Sequence, residues 1–155
     1  MIQRIQSLYL LVVVISLFLF LFLPLSVFFA SYEAVSFRPG APGAFTDQLA
    51  EVSMPWYIYP LYFFLLATLV LSLFTLFQYR NRLFQIRLGK FNMLLHLMII
   101  VLGFLIVDQL RGQMPGYDYS YGAGAVFPLF SLVALFMANR AIKRDEDLVR
   151  SADRI

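Results

Sequence analysis

A chain of 155 residues would ordinarily form one soluble domain, but here 61% of residues are hydrophobic, 17% aromatic and only 14% charged, the balance of a membrane protein. The net charge is +3 and cysteine is absent. That excludes disulfides, thiolate metal sites and a cysteine nucleophile, and leaves the redox compartment open.

The first uncharged run lies between Arg4 and Glu33, with its apolar centre at residues 8–30. It exceeds the roughly 7 to 15 apolar residues of a signal-peptide core, and Phe28 stands where a small residue would precede cleavage after Ala30. It reads as an uncleaved first span. Further spans are predicted at 56–78, 91–108 and 122–141, each near the about 20 residues needed to cross the hydrocarbon. The expected fold is an all-α integral membrane protein, a four-transmembrane-helix bundle forming one domain over residues 1–155.

Direction follows from the basic residues, which are retained on the cytoplasmic side near span ends. Arg4 precedes the first span, while Arg80, Arg82, Arg87 and Lys90 join the second to the third. Arg140, Lys143, Arg144, Arg150 and Arg154 follow the fourth. These are ten of the twelve Lys and Arg residues; Arg38 and Arg111 fall on the other side. Both termini are therefore expected in the cytoplasm, with the fourth helix continuing into it as a tail, residues 142–155.

The outer connection 31–55 contains the turn-forming RPGAPG and then AFTDQLAEV. In the latter, Phe45, Leu49 and Val52 recur at helical spacing with Asp47 and Glu51 between them, which predicts a short amphipathic helix on the membrane surface. Tyr32, Tyr57, Tyr59, Tyr62, Tyr117, Tyr119 and Tyr121 gather on this face with Trp56. They suit an aromatic belt at headgroup level, or else a ligand-binding or partner-binding surface. Asp118 follows Tyr117 as in an aspartyl intramembrane protease pair, but it is expected in a loop and without a mate. Asp108 is placed at the outer boundary of the third span, near Arg111.

Ionisable groups inside a bilayer mark function when they occur, and His96 is the one residue of that kind well inside a span. Counted from the cytoplasmic ends, Ser16, Ser72, His96 and Ser131 reach a similar depth, which predicts an interhelical polar layer. Bonds of that kind contribute about 0.6 to 2 kcal/mol each, enough to fix helix rotation. The other readings of His96 are a pH-sensitive or proton-relay group and a metal or haem ligand. A single imidazole with no nearby carboxylate is a poor zinc site, and one copy cannot supply paired haem ligands. No catalytic residue, metal or other cofactor is predicted, because HExxH, a glycine-flanked serine nucleophile and a phosphate-binding loop are all missing. The basic segment QYRNRLFQIRLGK is explained by retention in the cytoplasm and is not read as a nucleic-acid site.

Ser131, Ala134, Ala138 and Ala141 form a small-residue stripe that admits a close helix neighbour, either from the same bundle or from another subunit. In the tail, Asp145, Glu146, Asp147, Leu148 and Arg150 are candidates for a docking element whose mixed charge sets orientation and register. The acidic residues could also meet the basic residues at 80–90. The alternative is a solvated, self-paired helix end.

The opening MIQRIQSLYLL and the closing NRAIKRDEDLVRSADRI resemble an uncharacterised family of small four-span inner-membrane proteins from Bacteroidota, catalogued as a domain of unknown function. The resemblance covers the whole chain and is most specific at the two ends. It implies a bacterial inner membrane and four helices, and it carries no activity and no functional residues. The leading expectation is a non-enzymatic accessory or assembly subunit of a larger membrane complex, with lipids and other membrane subunits as partners and a homo-oligomer as a further option. The alternative is a small carrier or sensor that binds a lipid or other apolar ligand within the bundle, for which a cavity reaching His96 would speak.

Overall fold

A computed structural model describes residues 3–31, 33–46, 52–78 and 81–152. The side chains of Arg4 and Arg150, and residues Tyr32, Asp47, Leu49, Glu51, Arg80 and Arg154, lie outside that description. The long elements in chain order are α1 (Gln3–Phe22), α3 (Ile58–Phe77), α4 (Arg82–Gly112) and α5 (Val126–Ala152). Among the described residues these four helices are long and apolar enough to cross a membrane. Between them lie three short strands, β1 (Ser26–Ala30), β2 (Glu33–Phe37) and β3 (Asp118–Tyr121), and the short helix α2 (Pro42–Thr46).

The first apolar run is therefore not one helix over 8–30. It is helical to Phe22 and then turns at Pro24 into a strand, since proline disfavours helix in the residue before it and donates no N–H. β1 becomes the centre of an antiparallel sheet, with Ser26 opposite Phe37 in β2 and opposite Tyr121 in β3. This sheet closes one end of the bundle. Gly122 donates its N–H to the Leu25 carbonyl at 2.9 Å, and a Cβ there would strike the Pro24 carbonyl, so only glycine lets the two chain segments approach this closely.

Phe28 is fully buried on the sheet, with Phe45 at 5.7 Å and Tyr119 at 6.3 Å between ring centroids. Phe45 also meets Phe37 at 5.6 Å. The residue expected on an apolar helix face at the membrane surface thus packs against the sheet. The described helix here is the five-residue α2. Asp118, expected in a loop, opens β3 and pairs with Phe29.

The third predicted span, 91–108, lengthens to the 31 residues of α4, about 46 Å at 1.5 Å per residue. Asn81 starts it by accepting a hydrogen bond from the Phe84 N–H at 3.1 Å, an N-cap. Arg111 in its last turn complements the helix dipole. α1 packs on α3 and α5, and α4 packs on the same two helices. The result is a four-helix ring with Leu17, Phe20, Leu61, Ile99, Ile106 and Leu110 in its core.

Candidate functional site

The middle of the bundle and its end away from the sheet bury polar side chains. Ser16, Ser72, His96 and Ser131 are all buried, and two of them are joined by a residue that hydropathy alone does not single out. Asn92 donates its side-chain amide to Ser72 Oγ at 2.8 Å, while its backbone carbonyl lies 3.0 Å from His96 Nδ1. A carbonyl only accepts, so Nδ1 carries the hydrogen in this bond. Ser131 donates instead to the Pro128 carbonyl of its own helix at 2.9 Å.

Below this junction Gln85 donates to the Thr75 carbonyl at 2.9 Å, again from α4 to α3. Gln85, Gly89, Asn92 and His96 follow one another at four, three and four residues, one stripe of a helix. That spacing is the signal by which Asn92 and Gln85 could have been found. Further along, the same stripe turns apolar at Ile99 and Ile106. On α3 the change comes after Thr75, Ser72 and Thr68, at Leu65 and Leu61. Both helices switch from polar to apolar at the same level, because Thr68 lies one turn from Ser72 towards the sheet and His96 one turn from Asn92. Thr68 Oγ1, Asn92 Oδ1 and His96 Nε2 are buried without a protein hydrogen-bond partner.

The small-residue stripe faces inward: Ser131, Ala134 and Ala138 are buried and Ala141 is half-buried. Its neighbours are helices of the same bundle. Close contact also marks the α4–α5 seam, where a Cβ on Gly89 would collide with the Asn139 carboxamide.

In the tail, Asp145 is buried and pairs with Arg82 at 3.1 Å. The carboxylate therefore stands at the N-terminus of α4, where the helix dipole favours it. Glu146 is half-buried, whereas Asp147, Leu148 and Val149 are exposed. Three surface cavities surround this end. One of 340 Å³ lies between α1 and α5 beside Tyr9, Arg140 and Arg144. A second, of 270 Å³, lies between α4 and α5 and includes Lys90, Arg140 and Lys143. The third, of 370 Å³, lies along α5 itself and is lined by Arg140, Lys143, Arg144 and Asp147. None of these three is lined by His96. Among the described residues no three of His, Asp and Glu converge in the manner of a metal site.

At the sheet end the aromatic residues divide. Trp56 and Tyr59 are exposed, at 74% and 72%. Tyr57 instead shares its one hydroxyl hydrogen between the Leu105 carbonyl and Gln109 Oε1, and Tyr62 donates to the Pro39 carbonyl at 2.6 Å. Burial, with Asp108 nearby, pushes the Tyr57 phenol above its usual range, so it remains a donor at neutral pH. Arg111 lies over the Tyr119 ring, 4.8 Å from its centroid, a cation–π contact. Asp108 is exposed near the end of α4.

A family model described as a domain of unknown function, DUF4293, matches residues 2–155, and the chain belongs to that family. No curated protein and no solved structure matches it.

Proposed function

We propose that this member of a family of unknown function is a non-enzymatic accessory or assembly subunit of a larger complex in a bacterial inner membrane, and that the far end of α5 is its docking element. In this reading all four long helices span the bilayer, the sheet faces outward, and both termini lie in the cytoplasm. Support for the direction comes from Arg82, Arg87, Lys90, Arg140, Lys143 and Arg144, which all belong to the end opposite the sheet, as retention of basic residues in the cytoplasm requires.

The observation that carries the docking role is the end of α5. The helix runs for 27 residues, about 40 Å, which is more than a span needs. The Arg82–Asp145 pair fixes its direction, and Leu148 and Val149 stand beyond that pair at 51% and 40% exposure beside Asp147. An apolar pair next to a charge is the composition of a small docking point. Ser131, Ala134 and Ala138 of the small-residue stripe are buried within the bundle, which supports a partner met at the tail. Three cavities open around Arg140, at the same end of the bundle as the tail.

The test is purification of a tagged chain from its native membranes in mild detergent, beside Leu148→Asp/Val149→Asp. A defined complex that is lost in the variant, while the variant remains folded, supports the role. A lone monomer from both sinks it.

A further inference from the structure

The groove between α4 and α5 has a graded chemistry. Its cations are Lys90 on α4 and Arg140 and Lys143 on α5; its apolar wall is Ile86, Met93 and Phe136; and Asn139 lies in its floor. No carboxylate lines it: Asp145 is paired with Arg82, and Asp147 stands in the neighbouring cavity beside Arg140 and Lys143. From Lys90, Met93 lies one turn further along α4 towards the sheet, and Phe136 lies one turn from Arg140 in the same direction on α5. The cations line the groove with their aliphatic stems at its outer end, where Ile86 stands between them, and Met93 and Phe136 continue the apolar wall towards the sheet. Phe136 is exposed at 55%, so the wall is open sideways to whatever surrounds the helices.

From this arrangement we propose that the α4–α5 groove binds an anionic phospholipid, with the headgroup phosphate held by Lys90, Arg140 and Lys143 and an acyl chain laid along Met93 and Phe136. The proposal rests on the membrane-spanning reading and is independent of the docking role of the tail. Basic pockets between helices at the cytoplasmic boundary are suited to such headgroups. At 270 Å³ the cavity is slightly smaller than the about 300 to 1,000 Å³ of small-molecule sites. It holds a headgroup and leaves most of the chains in the bilayer. Gly89 contributes by letting Asn139 sink into the seam, which deepens the groove between the cations.

The experiment uses the full chain in detergent. Retention of added phosphatidylglycerol and of phosphatidylcholine is read by native mass spectrometry for the wild type, Lys90→Ala/Lys143→Ala and Arg87→Ala. Lys90, Lys143 and Arg87 are all exposed, so none of these changes touches the core, and Arg87 does not line the groove. The wild type is expected to retain phosphatidylglycerol in preference to phosphatidylcholine. The double variant should weaken that retention about 25-fold, roughly fivefold for each cation removed, with Arg87→Ala nearly unchanged. Equal retention of both lipids, or an equal loss in Arg87→Ala, would overturn the site and show only diffuse attraction to a basic end. Leu148→Asp/Val149→Asp should retain the lipid as the wild type does, which separates this outcome from failure of the docking role.

Discussion

Asn92 and Ser72 join α4 to α3 through a 2.8 Å side-chain hydrogen bond, both residues fully buried. An unpaired buried amide is costly, so this bond holds the rotation of the two helices. Ser72→Ala is expected to lower unfolding stability in detergent by about 0.6 to 1.7 kcal/mol. Asn92→Ala should cost more, because the deleted carboxamide also leaves a void. A double-mutant cycle on these two positions measures the bond itself; a coupling energy near zero would remove it as a determinant of the packing.

The α4–α5 seam gives a second expectation. Since a Cβ on Gly89 meets the Asn139 carboxamide, Gly89→Leu should destabilise the bundle by about 1 to 3 kcal/mol through overpacking. Asn139→Ala in the same chain should recover part of that loss, read as a higher thermal midpoint than Gly89→Leu alone. Absence of any recovery would mean that the seam is not closed by these two residues.

The Arg82–Asp145 pair sits between the exposed and buried extremes, with side-chain exposures of 24% and 11%. Its loss in Asp145→Ala is expected to cost about 1 to 2 kcal/mol, above the range of surface pairs and below that of fully buried ones. Hydrogen exchange should then quicken throughout the end of α5. In the wild type, protection should extend to Asp145 and fall off beyond it. Uniform protection to residue 152 in both chains would mean that something other than this pair orders the tail.

How much of this was legible follows from the physics of each part. The existence of four long apolar helices was, since uncharged runs of about 20 residues mark them, but the end of α1 at Phe22 and the start of α4 at Arg82 were not. The sheet was not: SVFFA at 26–30 is as apolar as the helix before it, and strand pairing depends on partners at 33–37 and 118–121 that no local window contains. Pro24 was the available signal, and it marks the end of α1. The four candidate polar residues are all buried, yet counting depth from span ends overlooked Asn92, the residue that bonds to both Ser72 and His96. Helical spacing from Gln85 would have exposed it. For the small-residue stripe, sequence offers no way to separate a neighbour in the bundle from a foreign one; burial places it inside. The tail's acidic cluster mixes the two readings drawn from it, with Asp145 buried against Arg82 and Asp147 exposed.

At the sheet end, Phe28 meets both Phe45 and Tyr119, so it ties β1 to α2 and β3 at once. Phe28→Ala is expected to cost about 3 to 5 kcal/mol, with loss of sheet structure before loss of helix. Amide exchange at β1 and β3 would reveal this, while circular dichroism would retain the helical signal. Simultaneous collapse of helices and sheet would show that the two unfold as one unit.

Membrane direction offers the last test, and the absence of cysteine makes it clean. Basic side chains resist crossing the hydrocarbon, and Arg82, Arg87, Arg140 and Lys143 lie at the end opposite Ser31 and Ser120. Single substitutions Asn81→Cys and Ser151→Cys at one end, and Ser31→Cys and Ser120→Cys at the other, all fall at exposed positions. In intact spheroplasts a membrane-impermeant maleimide should label Ser31→Cys and Ser120→Cys only, and all four after lysis. Labelling of Asn81→Cys and Ser151→Cys in intact spheroplasts would place the α5 tail outside the cell, where neither a cytoplasmic partner nor the inner-leaflet headgroups assigned to Lys90, Arg140 and Lys143 could reach it.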